Sequence, residues 1–124
     1  MIQRFLRMQN GAFRSKNDYN IINSMEWLWT WGGVSFGYRE GDNLWTHDGR
    51  HVGRFHDDEV YAPTGFYLGE LRNKNRLITN RGKKHFRRSS FAPYGNRAAY
   101  VPYVNYVGYV MYVGYEDFPG PAEL

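Results

Sequence analysis

Apolar and polar positions recur in register along the middle of the chain. An aliphatic residue followed by an aromatic or β-branched one stands at Leu28-Trp29, Leu44-Trp45, Val60-Tyr61 and Leu77-Ile78, and a glycine follows four residues later, at Gly33, Gly49, Gly65 and Gly82. A second apolar residue and a second glycine close the unit at Phe36-Gly37, Val52-Gly53 and Leu68-Gly69. The first three copies are sixteen residues apart; Arg76 is inserted before the fourth, which carries Phe86 where the others have the closing glycine.

Each unit predicts a β-hairpin. The opening pair suits a pleated, half-buried surface, and the first glycine supplies the positive φ of a tight turn, most legibly at Asp48-Gly49. The closing glycine, lacking a Cβ, predicts a bulge or a close approach of neighbouring backbones. Polar connectors, residues 40–43, 56–59 and 73–75, predict solvated loops. An isolated hairpin cannot bury its apolar face. Four of them around a common axis can pool Leu28, Leu44, Val60 and Leu77 with Phe36, Val52 and Leu68 into one core. The expected fold is therefore all-β: four repeated β-hairpins of about 16 residues around a pseudo-four-fold axis, with an irregular or extended C-terminal tail.

The run from Phe36-Gly37-Tyr38 through Asp48-Gly49-Arg50-His51-Val52-Gly53-Arg54-Phe55-His56-Asp57-Asp58-Glu59-Val60-Tyr61 to Gly65-Phe66-Tyr67-Leu68-Gly69-Glu70 resembles the bacterial 4-fold β-flower domain. The resemblance covers roughly residues 28–86. It implies an internally four-fold, all-β domain and carries no agreed catalytic or binding residues.

The organisation expected is an N-terminal extension over residues 1–24, a four-hairpin domain over 25–88 and a repetitive tail over 89–124. Residues 1–24 hold no repeat unit. Either Met25 is the true start and they lie upstream of it, or they form a short helix around Ile2 to Met8 followed by a linker.

In the tail a tyrosine recurs every third residue, at Tyr100, Tyr103, Tyr106, Tyr109, Tyr112 and Tyr115, and a valine follows each of the first five. A flat strand would scatter these tyrosines over both faces, and an α-helix would spiral them round its surface. A left-handed extended helix with three residues per turn gathers the tyrosines on one edge and Val101, Val104, Val107, Val110 and Val113 on the next. Only Pro102 directly favours that conformation, and a disordered or loosely packed tail is the rival reading. The six tyrosines are the candidate self-association residues, because a dense, nearly uncharged apolar strip is adhesive when exposed.

The formal net charge is +4, and bases cluster at Arg76, Arg81, Lys83, Lys84, Arg87 and Arg88 without an intervening acid. Arg81, Lys83, Lys84, Arg87 and Arg88 are thus the candidate polyanion contact, with Phe86, Phe91 and Tyr94 available for base stacking. No nucleic-acid-binding motif accompanies them. His47, Asp48, His51, His56, Asp57 and Asp58 include metal-ligating types, but the other copies replace His47 with Trp31, Pro63 and Asn80, and turns use Asp for backbone hydrogen bonding. No catalytic, cofactor or metal site is assigned.

The chain has no cysteine, which removes disulfide and thiolate chemistry. No apolar run reaches the length of a membrane helix, and Arg4 and Arg7 interrupt the apolar residues of the N-terminus. A cytoplasmic location is the default expectation. The function expected is a non-enzymatic interaction or assembly module that self-associates or docks a protein partner through its tail. A nucleic-acid-binding accessory protein using residues 76–88 is the alternative, and a metal-dependent enzyme a distant third.

Overall fold

The computed structural model describes residues 24–124, so the expectations for residues 1–23 lie outside the described residues. The fold is all-β. Seven strands follow one another as an antiparallel meander: β1 (Met25–Thr30), β2 (Ser35–Glu40), β3 (Asn43–Thr46), β4 (His51–His56), β5 (Glu59–Tyr61), β6 (Tyr67–Arg72) and β7 (Arg76–Asn80). Parallel pairing of β1 with β7, Trp29 opposite Arg76 and Thr30 opposite Leu77, closes them into a barrel. An odd number of alternating strands leaves first and last pointing the same way, which is why the closing pair is parallel.

The sixteen-residue repeat reappears as a repeated irregularity. In the first hairpin Leu28 lies opposite Gly37 but Trp29 opposite Ser35, so Phe36 is an extra residue. The same slip leaves Val52 extra between Leu44 and Trp45, and Leu68 extra between Val60 and Tyr61. These bulges bend each hairpin and tighten the barrel. The closing glycines sit where strands crowd: a Cβ on Gly37 would run into the backbone of Trp45 and Thr46.

The core holds Leu28, Phe36, Leu44, Val52, Phe55, Val60 and Leu77. Leu68 packs against it from a half-buried position, and Phe118, from far along the chain, completes it with its ring 5.4 Å from that of Phe36.

The fourth unit departs from the expected local hairpin. After β7 the chain enters a 3-10 turn, Arg81–Lys83, capped by the Asn80 side chain, which accepts from Gly82 N–H. The return strand comes instead from β8 (Tyr115–Asp117), pairing Ile78 with Asp117 and Asn80 with Tyr115. The polar connectors are tighter than loops, with Gly41, Asp57, Asn73 and Lys74 all at positive φ. Between the 3-10 turn and β8 the chain wraps the outside of the barrel without joining the sheet.

Candidate functional site

The strands bury a second set of side chains besides the core. Trp29, Trp31, Tyr38, Trp45, His51, Tyr61 and Tyr67 are all buried, yet they stand apart from the core cluster. Their cover is the wrapping segment, residues 84–114, which we call the strap.

The strap meets the three hairpin tips in one repeated way. At the third tip Arg88 and Phe91 donate their backbone N–H groups to the carbonyls of Gly65 and Pro63 at 2.8 and 2.9 Å. At the second, Arg97 and Tyr100 donate to Gly49 and His47 at 2.8 and 2.7 Å. At the first, Tyr106 and Tyr109 donate to Gly33 and Trp31 at 2.8 and 3.1 Å. Acceptors sixteen residues apart are thus matched by donors nine residues apart, three triplets of strap per hairpin. The turn glycines are required twice over, since each has φ between 89° and 97° and a Cβ there would strike the carbonyl of Arg88, Arg97 or Tyr106.

Side chains follow the same spacing. Tyr106 stacks on Trp29 at 4.0 Å between ring centroids, the Arg97 guanidinium lies 3.9 Å above the Trp45 ring, and that of Arg88 lies 5.3 Å from the Tyr61 ring. Tyr103 packs on Trp27 and Trp29, Tyr109 and Tyr112 on Trp31, and Tyr100 on Trp27 and Tyr38. The indole N–H groups of Trp29 and Trp31 donate to the carbonyls of Val104 and Val110 at 2.9 and 3.0 Å, and Arg76 donates to that of Val107 at 3.0 Å. Contact at every third residue, in a segment with neither helix nor strand, is the periodicity of the left-handed extended helix.

The inward edge of the strap is tyrosine and the outward edge valine. Tyr100, Tyr103, Tyr106, Tyr109 and Tyr112 are between 43% and 52% exposed, whereas Val101, Val107 and Val110 are 88–90% exposed and Val113 wholly so. Tyr115 lies in β8, where its hydroxyl accepts from Arg72 at 2.9 Å. The tyrosines singled out from the sequence therefore hold the strap to the barrel, and the valines between them carry the free apolar edge. The inward phase also extends upstream through Tyr94, Phe91 and Arg88, a continuation masked in the sequence by the change of residue type.

The basic run is drawn into the fold. Lys83 Nζ reaches Glu59 at 2.8 Å and Glu70 at 3.1 Å, Lys84 reaches Glu116 at 2.7 Å, and Arg81 reaches the same Glu116 at 3.7 Å. Arg87 lies over Phe66 and Arg88 over Tyr61. Lys83 holds Glu59 below the usual carboxylate range and is itself raised by that pairing. Burial, followed by the adjoining Glu70, lifts the Tyr67 phenol far above its ordinary value, so its hydroxyl serves as a donor, to Glu70 at 2.8 Å. These acids were not tied to the basic run by sequence, because Glu59, Glu70 and Glu116 are remote from it along the chain.

Of the histidines, His51 is buried against the Trp45 and Tyr94 rings, and its Nδ1 accepts from Tyr94 N–H at 2.9 Å. Burial first, with the charges of Arg54 and Arg97, keeps it below the ordinary imidazole range. Asp48 accepts from Thr46 Oγ1 and pairs with Arg50 at 3.1 Å. Among the described residues no group of three His, Asp or Glu side chains is arranged to hold a metal ion. An open depression of about 330 Å³ lies beside Arg50, Val52, Pro63 and Tyr94, but the Arg50 guanidinium is committed to the carbonyls of Leu124 and Pro121, both at 2.7 Å.

No family model, curated protein or solved structure matches this chain. Among the described residues no helix is long and apolar enough to cross a membrane.

Proposed function

We propose that this chain is a β-flower-type, non-enzymatic assembly module that docks a second copy of itself through the valine edge of the strap. The observation that carries the reading is the exposure of Val101, Val104, Val107, Val110 and Val113 on a segment pinned to the barrel at every third residue. A valine row on a floating tail would have to be ordered before it could bind; this one is already held, which lowers the entropic cost of docking. From Ala98 to Gly114 the strap carries no charge, so two rows can approach without repulsion and a charged partner finds no complement. Rows of equal period are self-complementary about a two-fold axis.

Half-burying five valines on each of two copies contributes roughly 10 kcal/mol. Association costs about 4–15 kcal/mol, so the dimer is expected to be weak. The test is sedimentation velocity of the full chain across concentration, beside a variant with these five valines changed to serine. The expected result is concentration-dependent dimerisation of the natural chain alone, with both proteins melting alike. Two equally monomeric proteins at the highest concentrations reached would overturn the reading.

The nucleic-acid alternative draws less support, because Arg81, Lys83 and Lys84 sit in ion pairs and Arg87 and Arg88 lie over rings. The metal-dependent enzyme draws none from the arrangement of the described histidines and carboxylates.

A further inference from the structure

Barrel and strap clasp each other crosswise at the third hairpin. Arg54 on β4 lies directly opposite Tyr61 on β5, so the two side chains share the face of the sheet that the strap covers. The strap answers with Arg88 and Phe91. Its arginine sits 5.3 Å from the Tyr61 ring of the barrel, and Arg54 of the barrel sits 4.2 Å over the Phe91 ring of the strap. The two arginines line one small cavity of about 90 Å³, together with both rings, Ser89 and His56.

This cavity is short of negative charge. Arg39, Arg50, Arg72, Arg81 and Arg97 each have a carboxylate within 3.7 Å. Among the described residues neither Arg54 nor Arg88 takes part in an ion pair. Glu59, whose carboxylate responds to the charge of Arg88, is no part of the lining, and its oxygens are taken by the Tyr61 hydroxyl at 2.9 Å and by Lys83 Nζ at 2.8 Å.

A guanidinium seated on a ring has its face occupied, so its N–H edge stays available to an oxygen anion and little freedom is lost on binding one. Two such groups on one cavity bring two positive charges and two bidentate forks. A carboxylate satisfies one fork; a phosphate group, with more charge and more oxygens, satisfies both. The volume is far below the roughly 300 Å³ at which pockets begin to enclose a drug-sized molecule, so the occupant is a single compact group. Forks fixed in place cannot follow a nucleic-acid backbone.

We propose that the cavity between Arg54 and Arg88 binds one phosphate group, and that the bound anion fastens the strap to the third hairpin. One arginine belongs to the barrel and the other to the strap, so the complete site exists only while the strap is docked. An anion that binds only the docked form holds it docked. The N–H groups of Arg88 and Phe91, which donate to the carbonyls of Gly65 and Pro63, report on this directly. The inference rests on the third hairpin and stands independently of the valine edge.

The probe is inorganic phosphate, titrated into the full chain against sodium chloride of equal ionic strength. Arginine Nε–H signals are followed by NMR, with the ion-paired Arg39 and Arg72 as internal references. The expected result is a saturable shift at Arg54 and Arg88, absent from the references, with slower amide exchange at Arg88 and Phe91 than in chloride. Arg54→Gln should weaken the affinity by about tenfold, the scale of one charge-assisted hydrogen bond. Arg87→Gln removes the same charge from a neighbouring arginine that lies over Phe66 outside the cavity, and should leave the affinity nearly unchanged. The titration of the natural chain needs no variant, so the proposal stays testable should Arg54→Gln fail to fold. Methyl phosphate then identifies the source: equal binding means a phosphate carried on a larger molecule enters, and binding of inorganic phosphate alone means the site takes the free ion. Shifts that never saturate and are equal at Arg39, Arg72 and Arg87, or equal weakening by Arg54→Gln and Arg87→Gln, would leave only general screening and overturn the proposal.

Discussion

The N–H of Tyr106 donates to the carbonyl of Gly33 at 2.8 Å, while the carbonyl of that same Tyr106 fills the space a Gly33 side chain would need. The strap therefore reads the glycine both as an acceptor and as a gap, and two further tips repeat the arrangement.

Replacing Gly33, Gly49 or Gly65 by alanine should cost more than replacing Gly41. All four have positive φ, worth about 1–3 kcal/mol of strain for a residue with a side chain, but nothing stands within 4 Å of a Cβ at Gly41. Thermal melts should rank Gly41→Ala mildest, and amide exchange should show the strap loosened only by the tip variants. Equal melting of all four would mean that the strap does not press on the tips.

Strap length should matter asymmetrically. Nine residues of left-handed extended chain span about 28 Å, at roughly 3.1 Å each, whereas six residues reach only about 20–22 Å even when fully stretched. Deleting Val101–Tyr103 keeps the tyrosine phase but shortens the run between the second and first tips, and it should detach one of them. Inserting Val-Asn-Tyr after Tyr103 should be absorbed as a surface bulge, since lengthening a loop costs little. Melting temperatures of the two variants decide this, the deletion falling well below the insertion.

The strap's grip on the second hairpin should weaken in mild acid. His51 accepts from Tyr94 N–H only while neutral, and its folded pKa is depressed. Stability resting on neutral His51 is complete above the unfolded value, about 6.5, and is lost as pH falls below that toward the lower folded value. Melts of the natural chain should decline over this range more steeply than those of His51→Gln. Parallel pH profiles would show that His51 has the same pKa in the folded and unfolded chain.

Lys83→Met should destabilise the fold rather than merely alter surface charge. It would remove the ion-pair partner of Glu59 and one of the two cations beside Glu70, which is 8% exposed and keeps Arg72 at 3.6 Å and the Tyr67 hydroxyl at 2.8 Å. Because Lys83 is itself partly exposed and both carboxylates keep other partners, the expected loss is about 1 kcal/mol, that of hydrogen bonds to a charged group rather than of an unpaired buried charge. Urea unfolding at neutral pH measures it. A depressed Glu59 pKa makes its part of this stability present above the ordinary carboxylate value and lost as pH falls through the folded one, so the difference between variant and natural chain should narrow in acid.

The barrel was legible because its signal is local and repeated: Leu28, Leu44, Val60 and Leu77 enter the core as their positions predict, and the closing glycines mark bulges. The fourth hairpin was not, because Tyr115–Asp117 is short and polar and joins β7 from the far end of the strap. The tail's period was visible from Tyr100 onward, but period alone does not say which edge faces inward. That choice belongs to Trp27, Trp29 and Trp31, whose faces take tyrosine rings. The alternation of Tyr94, Arg97 and Tyr100 over Trp45 and Tyr38 hid the same period upstream, since a guanidinium and a phenol both lie flat on an aromatic face.

The strap visits the tips in the order third, second, first, the reverse of their order in the chain. Had it run the other way, its first act would have been to close the longest loop. Instead the nearest tip is met first, and every later docking has only nine more residues to arrange, because the preceding one already anchors the chain. The whole contact set spans most of the described sequence, yet it can assemble as a succession of small closures, each on the scale of a short loop. Average sequence separation would class this protein among slow-folding topologies, while its wrapping is expected to close like a zip drawn from one end.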